Sequence, residues 1–305
     1  MPVFNRASLV GEAIDSILGQ TLGDLELIIV DDGSTDATPD IIADYARRDS
    51  RVRPHRIMRD GERLASGAHA ANIGIARAEG AYYARMDSDD IAEPERLALQ
   101  LSLTRGHDLD ICGGQAVAFG EREKSIWYPQ THEAIRSELV FRPAMMNAVM
   151  FIRMAVMKSA LYSETEAFEE YEFLTRMVFS AKMGNVPQAV HRFRQHDGSF
   201  SRIHRQQMLA SIWKLRFSYF SRLFPSARFD DCRIMNAVGN EFPLDSAGKL
   251  KVAGDWLIRL SRVDEEKSRA RMLRRWREAC DIAQIDPAEV DAMRDPVSAQ
   301  IMAPP

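Results

Sequence analysis

Apolar residues in the first two thirds of the chain recur at two spacings, one typical of helices and the other typical of strands. Positions 9, 13, 14, 17 and 18 are apolar and share one helical face, with Ser8 as a candidate N-cap. The apolar run Leu25 to Val30 follows as a strand, and Thr38-Pro39 opens the next helix. The pattern predicts helices over 8–21, from 38, 67–78, 95–105, 132–141 and 171–183, and strands over 25–30, 51–57, 81–86 and 111–119.

This order of elements indicates the fold class. Strands that alternate with helices of this length predict crossover units on a parallel or mostly parallel sheet, which is an α/β fold. Strand signals stop near Arg202, so we expect a sheet-containing domain over residues 1–205 and a helical C-terminal extension over 206–305. Ligands of open sheets of this kind bind outside the carboxyl ends of the strands, and the acidic turns at Asp31 and Asp87 both fall there.

The composition fits a globular protein with a full core, at 305 residues, 46% hydrophobic and 28% charged. The formal net charge of −4 argues against nucleic acid as a partner, because phosphate binding needs a basic surface. Cys112, Cys232 and Cys280 lie far apart without metal-ligand spacing, which argues against disulfides or a zinc site. No apolar run is long enough for a membrane-spanning helix and no signal peptide is recognisable, so we expect a soluble, cytoplasmic protein.

The strand over 81–86 ends in three carboxylates within four positions, Asp87, Asp89 and Asp90. Like charges this close raise one another's pKa unless a positive charge lies between them. Period-two geometry should aim Asp87 and Asp89 the same way, and two convergent carboxylates suit a hard divalent cation that also binds phosphate. The alternative is a solvated acidic turn in which Asp90 caps the following helix, and the residues alone leave both interpretations open.

Several stretches, in order along the chain, carry a resemblance to a known family. They are MPVFNRASLVGEAIDSILGQT, LELIIVDDGSTDATPDIIADYA, GAHAANIGIARAEGAYYARMDSDDIAEPERL and, more weakly, FEEYEFLTRM and FRQHDGSFS. Through them the sequence resembles the inverting family 2 glycosyltransferases, which have the GT-A fold, over residues 1 to about 201. The resemblance implies a Rossmann-like, mostly parallel sheet flanked by helices, and a transferase of polysaccharide biosynthesis that uses a nucleotide sugar.

The resemblance implies a nucleotide-sugar site formed by Pro2, Phe4, Asn5, Asp31, Asp32, Asn72, Arg85 and Asp87. The stretch from Pro2 to Asn5 should lie beside the base, and Asp31 or Asp32 should accept a hydrogen bond from a ring N–H. A carboxylate only accepts hydrogen bonds, so it suits an imide donor such as that of uracil, and we expect a UDP-sugar. An ordinary turn followed by a helix cap is the alternative for residues 31–34.

The resemblance also implies a Mg²⁺ or Mn²⁺ ion that holds the nucleotide diphosphate, with Asp89, Asp87 and His196 as ligands. Asp87 should face the ribose or sugar, and Asp89 should face the metal. His196 aligns with a histidine that often contacts the metal or diphosphate in GT-A enzymes. A surface-loop histidine is the alternative.

Glu169 and Glu170 stand where the family usually has Glu-Asp, at the opening of a helix near the acceptor site. Direct displacement at the anomeric carbon needs a base that takes the proton of the acceptor hydroxyl. We assign this role to Glu170 and keep Glu169 as the alternative base. An acidic first turn that only satisfies the helix dipole is the other interpretation.

Three features depart from the family pattern. The opening strand that normally precedes the Pro-x-Phe/Tyr-Asn stretch is missing, so either the start is truncated or another segment fills its place in the sheet. Ala160-Leu161 stands where the family often has Gly-Gly, which limits how closely the backbone can approach a donor sugar. Glu170 replaces the family's aspartate and has a longer reach.

A basic segment follows the sheet-containing region. Eight Lys or Arg residues and one acid, Asp197, occur from Arg192 to Arg228. Apolar residues recur there at three- and four-residue intervals, namely Leu209, Ile212, Trp213, Phe217, Phe220 and Phe224. A basic amphipathic helix with an aromatic edge is typical of membrane surfaces, so residues 202–224 are a candidate peripheral contact with the inner face of the membrane. The alternative is a helix that docks its apolar face on the catalytic domain.

The leading hypothesis is a metal-assisted inverting glycosyltransferase that moves a sugar from a UDP-sugar to a hydroxyl of a saccharide or lipid-linked saccharide. A phosphatase of the haloacid dehalogenase type is excluded, because its loop needs an aspartate where this chain has Val30. A non-catalytic nucleotide-sugar-binding or scaffold protein derived from such an enzyme is the remaining alternative. The missing strand, Ala160-Leu161 and Glu170 favour that alternative.

Overall fold

The computed structural model describes residues 1–58, 67–166, 168–199, 203–239, 244, 246–261 and 266–284. The strands are β1 (Pro2–Val3), β2 (Leu27–Asp31), β3 (Val52–Arg56), β4 (Tyr82–Ala84), β5 (Ile91–Ala92), β6 (Ile111–Phe119), β7 (Lys124–Ile126), β8 (Phe151–Arg153) and β9 (Met183–Arg194). The helices are α1 (Val10–Leu18), α2 (Thr38–Arg48), α3 (Ala68–Arg77), α4 (Arg96–His107), α5 (His132–Glu138), α6 (Met154–Ser159), α7 (Glu169–Met177), α8 (Arg205–Leu223), α9 (Phe229–Gly239), α10 (Ala247–Ser261) and α11 (Glu266–Ala283).

The chain divides into two compact units. The sheet unit contains Met1–Gln130 and Met145–Leu209, and the helical unit contains Thr131–Ala144 and the chain from Ala210 onward. The division after Leu209 lies close to the expected boundary at 205, but the segment with α5, expected in the first domain, lies in the helical unit. A functional division into a catalytic domain and an extension stays a prediction.

The first sheet of the sheet unit is parallel, in the order β1-β2-β3. Leu27, Ile29 and Val30 of β2 are buried, as expected of a parallel strand covered on both faces. The predicted helical stripe of α1 packs into the same core, with Val10, Ala13, Ile14 and Ile17 buried. Each fully buried isoleucine or valine stabilises the fold by about 1.5–3 kcal/mol. This core fixes the strand ends that carry Asn5 and Asp31.

The second sheet has the order β4-β8-β6-β9-β5, and β7 pairs with β6. The β6–β9 pair is parallel, and the other four pairs are antiparallel. Two glycines of β6, Gly113 and Gly114, let this strand lie close to side chains of β9. A Cβ atom on Gly113 would clash with Asn185 Oδ1, and one on Gly114 would clash with Val190 Cγ2. A larger residue at either position would therefore displace β9, the strand that leads to His196.

The strand before the acidic turn is shorter than predicted. β4 ends at Ala84 and pairs antiparallel with β8, so Asp87 and Asp89 lie beyond the strand. The period-two argument for their common direction is therefore wrong. Asp90 does not cap the next helix, because α4 begins at Arg96 and Asp90 is buried elsewhere.

Three other expectations change in the structure. Ser8 does not cap α1, which begins at Val10 without a side-chain cap. The helix expected over 171–183 is α7, and Met183 already starts β9. The stretch from Pro2, which was expected to come after a missing opening strand, itself contributes a short strand, Pro2–Val3, that pairs in parallel with β2. Beside it lies a cavity of about 710 Å³ lined by residues of β1, β2 and β4.

A buried ion cluster holds α5 in the helical unit. The Glu138 side chain is 1% exposed, and Arg142 Nε and Arg275 Nη2 donate to Oε1 at 2.6 and 2.8 Å. Arg271 Nε lies 3.7 Å from Oε2. Burial opposes ionisation of Glu138, but Arg275, Arg142 and Arg271 together lower its pKa. Removal of one partner from such a buried pair is strongly destabilising.

Helix α8 packs inside the helical unit along one face. Tyr219 and Phe220 are buried, and the ring of Phe220 lies 5.1 Å from that of Trp256 in α10. Trp213 and Phe217 instead form a partly exposed cluster with Phe229, which is 58% exposed. The expected membrane-facing edge is therefore divided, because Phe220 belongs to the core. Arg202, the first residue of that proposed contact, lies outside the described residues.

No helix in the part of the chain that the structure describes combines the length and apolar character needed to cross a bilayer. Cys112, Cys232 and Cys280 are free and buried.

Candidate active site

The loops after β1 and β2 are joined through Asn5. Its backbone has φ of 49°, in the left-handed region that asparagine tolerates better than most residues. The Asn5 amide donates to Ser34 Oγ at 2.9 Å, and Asn5 Oδ1 accepts from the Thr35 amide at 2.8 Å. Pro2 and Phe4 flank this join, so the stretch expected beside the nucleotide base has a fixed position against the 31–34 turn.

The turn after β2 uses one of its two aspartates for its own structure. Asp31 Oδ1 accepts from the Ser34 amide at 2.9 Å, and Arg56 Nε lies 3.3 Å from Asp31 Oδ2. Gly33 has φ of 81°, a conformation that favours glycine. Asp32 is also buried and follows at the strand end. Both carboxylates thus lie at the expected edge, and contact with a base by either stays a prediction.

A buried arginine organises the region before the acidic turn. Arg85 is 4% exposed, and its Nε donates to Asp87 Oδ1 at 3.0 Å. Burial opposes its charge, but Asp87, Tyr83 and Tyr162 raise the pKa of Arg85 well above its usual value. Within the described residues, Arg85 Nη1 is buried without a hydrogen-bond partner. That atom is suited to donate to a ligand oxygen.

Asn72 has a different environment from Arg85. Its Nδ2 donates to the Tyr162 carbonyl at 2.9 Å and to Glu164 Oε1 at 3.0 Å, and its Oδ1 accepts from the Tyr162 amide at 3.1 Å. Asn72 therefore ties α3 to the segment before α7. Its expected contact with the nucleotide sugar stays a prediction.

Asp89 and His196 are brought together from positions 107 residues apart. His196 Nε2 and Arg6 Nε lie 3.1 and 3.2 Å from Asp89 Oδ2. Arg194 Nε donates to the Asp89 carbonyl at 2.8 Å, which fixes the backbone of the turn. The side chains of Asp89 and His196 are 19% and 24% exposed, so both can reach a ligand in solvent.

This donor set fits a divalent cation that also binds phosphate. Such ions take one or two protein ligands and complete their coordination with phosphate and water oxygens. Across the described part of the chain, no group of three or more His, Cys, Asp and Glu side chains is arranged for a metal ion. Asp87 pairs with Arg85, and its expected role as a further ligand stays a prediction.

The neighbouring carboxylate, Asp90, is closed to solvent. It is 1% exposed, with Oδ2 2.8 Å from His191 Nε2 and Oδ1 accepting from the Arg194 amide at 2.8 Å. Burial, with Asp87 and Asp89 nearby, raises the pKa of Asp90 well above its usual value. Burial and Arg96 lower the pKa of His191 to about 3. The pair anchors the acidic turn to β9.

The two glutamates expected to include the base open α7. Glu169 is 5% exposed, and its Oε1 accepts from Asn147 Nδ2 at 3.3 Å. A Cβ atom on Gly67 would lie 3.2 Å from Arg85 Nη2 and 3.8 Å from Glu169 Oε1, so the missing side chain leaves room for both groups. Burial raises the pKa of Glu169, and burial together with Glu169 raises that of Glu170 well above its usual value.

The sequence did not single out Arg6, His191 or Asn147. The only feature of the sequence that pointed to Arg6 was its position directly after the expected base-binding stretch. The contacts of Arg6 with Asp89 and of His191 with Asp90 join residues 83 and 101 positions apart. No local pattern reports such pairs.

Residues 1–171 match the family model described as Glycosyl transferase family 2. An uncharacterised glycosyltransferase of Haemophilus influenzae is 27% identical over 232 residues, which cover 70% of this chain and 69% of that protein. Other bacterial glycosyltransferases match over less than half of their own length.

Two solved structures share the fold over nearly the whole chain. S. aureus TarS 1–349 in complex with UDP-GlcNAc has a TM-score of 0.55 at 16% identity, covering 96% of this chain and 90% of that chain. Mannosyltransferase PcManGT from Pyrobaculum calidifontis, in complex with GDP-Man and Mn²⁺, has a TM-score of 0.55 at 15% identity, covering 99% and 83%. At these identities the likeness concerns the fold alone.

Proposed function

This chain belongs to glycosyl transferase family 2 and has the GT-A fold, and from that premise we propose that it transfers a sugar, with inversion, from a UDP-sugar to a hydroxyl of a saccharide or lipid-linked saccharide. The observation that carries the proposal is the continuous set of contacts along one edge of the sheet unit. The Asn5 amide donates to Ser34 in the 31–34 turn, and Arg6 donates to Asp89. His196, just after β9, lies within hydrogen-bond distance of the same aspartate.

In this proposal Asp89 and His196 hold a Mg²⁺ or Mn²⁺ ion together with the donor diphosphate. When bound, the ion supplies charge neutralisation for the departing diphosphate. The Mn²⁺ in the PcManGT complex supports a divalent ion in this fold. Asp87 and Arg85 Nη1, which has no hydrogen-bond partner among the described residues, would face the ribose or sugar, beside the ion-binding pair.

The donor base lies, in the same proposal, between the Pro2, Phe4 and Asn5 stretch and the aspartates after β2. Asp31 Oδ1 already accepts a hydrogen bond within its own turn. The imide N–H of uracil would therefore donate to Asp32 or to Asp31 Oδ2. The UDP and UDP-GlcNAc complexes of TarS support uridine in this fold, whereas GDP-Man in PcManGT keeps guanine as an outcome of the test.

Glu170 is the proposed base. The oxygen of the acceptor hydroxyl forms a bond to the anomeric carbon as the bond from that carbon to the diphosphate oxygen breaks, and the hydroxyl proton goes to the carboxylate. A raised pKa makes the ionised carboxylate a better proton acceptor. Glu169 is the alternative, although its Oε1 is engaged by Asn147.

Contact of residues 202–224 with an anionic lipid surface remains part of the proposal for a lipid-linked acceptor. The partly exposed cluster of Trp213, Phe217 and Phe229 supports it, as does the exposed Arg222 on the same helix. Aromatic and basic side chains together are typical of helices that lie at membrane surfaces.

A non-catalytic nucleotide-sugar-binding protein is the second candidate, because Arg6 pairs with the proposed metal ligand Asp89. Release of nucleoside diphosphate from UDP-GlcNAc or UDP-glucose without acceptor separates the two functions. We expect slow release that requires Mn²⁺ and is lost in Asp89→Ala. Binding of the donor without any release, with or without saccharide acceptors, would favour the non-catalytic candidate.

A further inference from the structure

Arg6 is held rigidly at the mouth of the proposed donor site. The left-handed backbone of Asn5 turns the chain immediately before it. The Arg6 amide then donates to Thr38 Oγ1 at 2.8 Å. The Arg6 backbone is therefore fixed to the start of α2, and the hydrogen bonds of the guanidinium itself set its direction.

The guanidinium joins three separate segments. Nε donates to Asp89 Oδ2 at 3.2 Å, Nη2 to the Gly198 carbonyl at 2.9 Å and Nη1 to the Asn5 carbonyl at 3.2 Å. His196 Nε2 lies 3.1 Å from the same Asp89 oxygen. Arg6 thus holds the carboxylate and the turn that carries His196 in one arrangement, and its side chain is 22% exposed.

A divalent cation on Asp89 would lie within a few Å of this guanidinium. Like charges at that separation repel strongly, even in the screened environment of a protein surface. An ion placed between Asp89 and His196 would bind Asp89 Oδ2, the oxygen that Arg6 Nε and His196 Nε2 both approach. A carboxylate oxygen can accept a hydrogen bond and bind a metal at once, so the repulsion between the two positive charges is what sets Arg6 against the ion.

Resting on the metal assistance proposed above, we propose that Arg6 is a resident cation of the donor site, which holds Asp89 and the His196–Ser199 turn until a divalent ion displaces it. Binding of the ion is then an exchange in which Asp89 leaves the guanidinium. Arg6 is a positioning residue in this scheme, because it acts on the metal through Asp89. It lowers the intrinsic affinity of the site for the ion.

The test is the Mn²⁺ affinity of the full chain, measured by electron paramagnetic resonance of free Mn²⁺, alone and with UDP. Arg6→Met removes the charge and should tighten Mn²⁺ binding about tenfold. Arg6→Lys keeps a charge and should stay within about threefold of the unsubstituted chain. Arg56→Met is the matched control for Mn²⁺ alone, because it removes an equal charge that pairs with Asp31 rather than Asp89, and it should change that affinity less than about twofold.

Melting curves verify that each variant is folded. If Arg6→Met does not fold, Arg6→Gln replaces it and should tighten Mn²⁺ binding by the same factor. Unchanged or weaker Mn²⁺ binding in the uncharged Arg6 variants would overturn the exchange. Equal tightening in Arg56→Met would also overturn it, since net charge would then explain the effect. Absence of Mn²⁺ binding in every variant, with and without UDP, would instead remove metal assistance itself, and the exchange with it.

Discussion

Two aspartate–histidine pairs lie next to each other at the acidic turn, and they differ in burial and in partners. Asp90 and His191 are 2.8 Å apart, with side chains 1% and 0% exposed. Asp89 and His196 are 3.1 Å apart, with side chains 19% and 24% exposed. In the first pair, Asp90 also accepts a hydrogen bond from the Arg194 backbone amide. In the second pair, Asp89 Oδ2 also accepts a hydrogen bond from Arg6 Nε.

The difference shows how the same two residue types can serve structure or chemistry. The buried pair is enclosed and holds β9 against the acidic turn. The partly exposed pair lies on that turn with its polar atoms within reach of solvent, where we propose that a cation binds with its diphosphate. Exposure rather than residue type thus separates the buried pair from the pair in the proposed metal site.

The largest expected effect concerns two other neighbouring acids, Glu169 and Glu170, of which the first is buried and the second half-buried. Glu170→Gln should slow transfer by about a hundred- to ten-thousand-fold, because the amide keeps the shape and cannot take the proton. Metal-dependent UDP binding should persist. Since burial and Glu169 raise the pKa of Glu170, the rate of the unsubstituted chain should fall as the pH drops through that raised pKa.

Glu169→Gln is the control for this prediction and should cost much less activity. An exchange of behaviour between the two variants would make Glu169 the base. Full activity in both would remove the catalytic assignment to α7.

The next effect contrasts the stability of the two pairs. Asp90→Ala leaves the buried His191 Nε2 and the Arg194 amide without their hydrogen-bond partner, at about 1–3 kcal/mol for each buried group. We expect a loss of about 2–5 kcal/mol in the free energy of unfolding. Asp89→Ala removes a partly exposed pair and should change it by less than about 1 kcal/mol. Urea unfolding monitored by circular dichroism measures both, and equal losses would contradict the division of roles.

A smaller effect is the pH dependence of the buried pair. Unfolded Asp and His titrate near 3.8 and 6.5, while in the fold the pKa of Asp90 is raised and that of His191 is lowered to about 3. In the fold, burial therefore favours protonated Asp90 and neutral His191. The two shifts act on the pH dependence of stability in opposite directions, so they partly cancel in the intact pair.

Each single variant should expose one half of this balance. In Asp90→Asn the lowered pKa of His191 remains, so stability is present above pH 6.5 and is lost as the pH falls toward 3. In His191→Gln the raised pKa of Asp90 remains, so stability is present below pH 3.8 and is lost as the pH rises. The slopes should be opposite and at most about 1.4 kcal/mol per pH unit. Slopes of the same sign, from urea unfolding at several pH values, would contradict these opposed shifts.

The smallest effect tests the contrast between buried and exposed side chains in the helical unit. Trp213→Ser should change stability by about 1 kcal/mol or less, because the ring is partly exposed, and should weaken binding to liposomes that contain anionic lipid. Phe220→Ser is the buried comparison and should lower the melting temperature. Unchanged liposome binding in a folded Trp213→Ser protein would exclude this surface as a membrane contact.

Much of the fold followed from local patterns. The apolar run over 111–119 is β6 with the predicted bounds, and the helix expected over 67–78 is α3. The resemblance to family 2 glycosyltransferases, the GT-A fold and the enzyme class are confirmed by the match over residues 1–171 and by the shared fold. Strand β6 and helix α3 were predictable because their apolar patterns extend over many residues.

The site was less predictable because its contacts are long-range. The apolar character of Ala81 to Met86 suggested a strand up to the acidic turn, but the ladder with β8 ends at Ala84. The partners of Asp89 and Asp90 come from the loop after β1, from β9 and from the turn that follows β9, all more than eighty residues away. Burial of Asp90 and exposure of Asp89 depend on those partners, so sequence alone could not separate the two carboxylates.

The central claim is that Asp89 and His196 bind a divalent cation together with a nucleotide diphosphate. The most direct measurement is the shift in melting temperature on addition of UDP, with Mn²⁺ or with EDTA, in the unsubstituted chain, Asp89→Ala and Asp90→Ala. UDP at about a hundred times its dissociation constant should add about 2.7 kcal/mol of stability, only with Mn²⁺. Asp89→Ala should lose this increment, and a folded Asp90→Ala should keep a measurable part of it from a lower baseline. An equal Mn²⁺-dependent shift in Asp89→Ala, or an undiminished shift in EDTA, would contradict the claim.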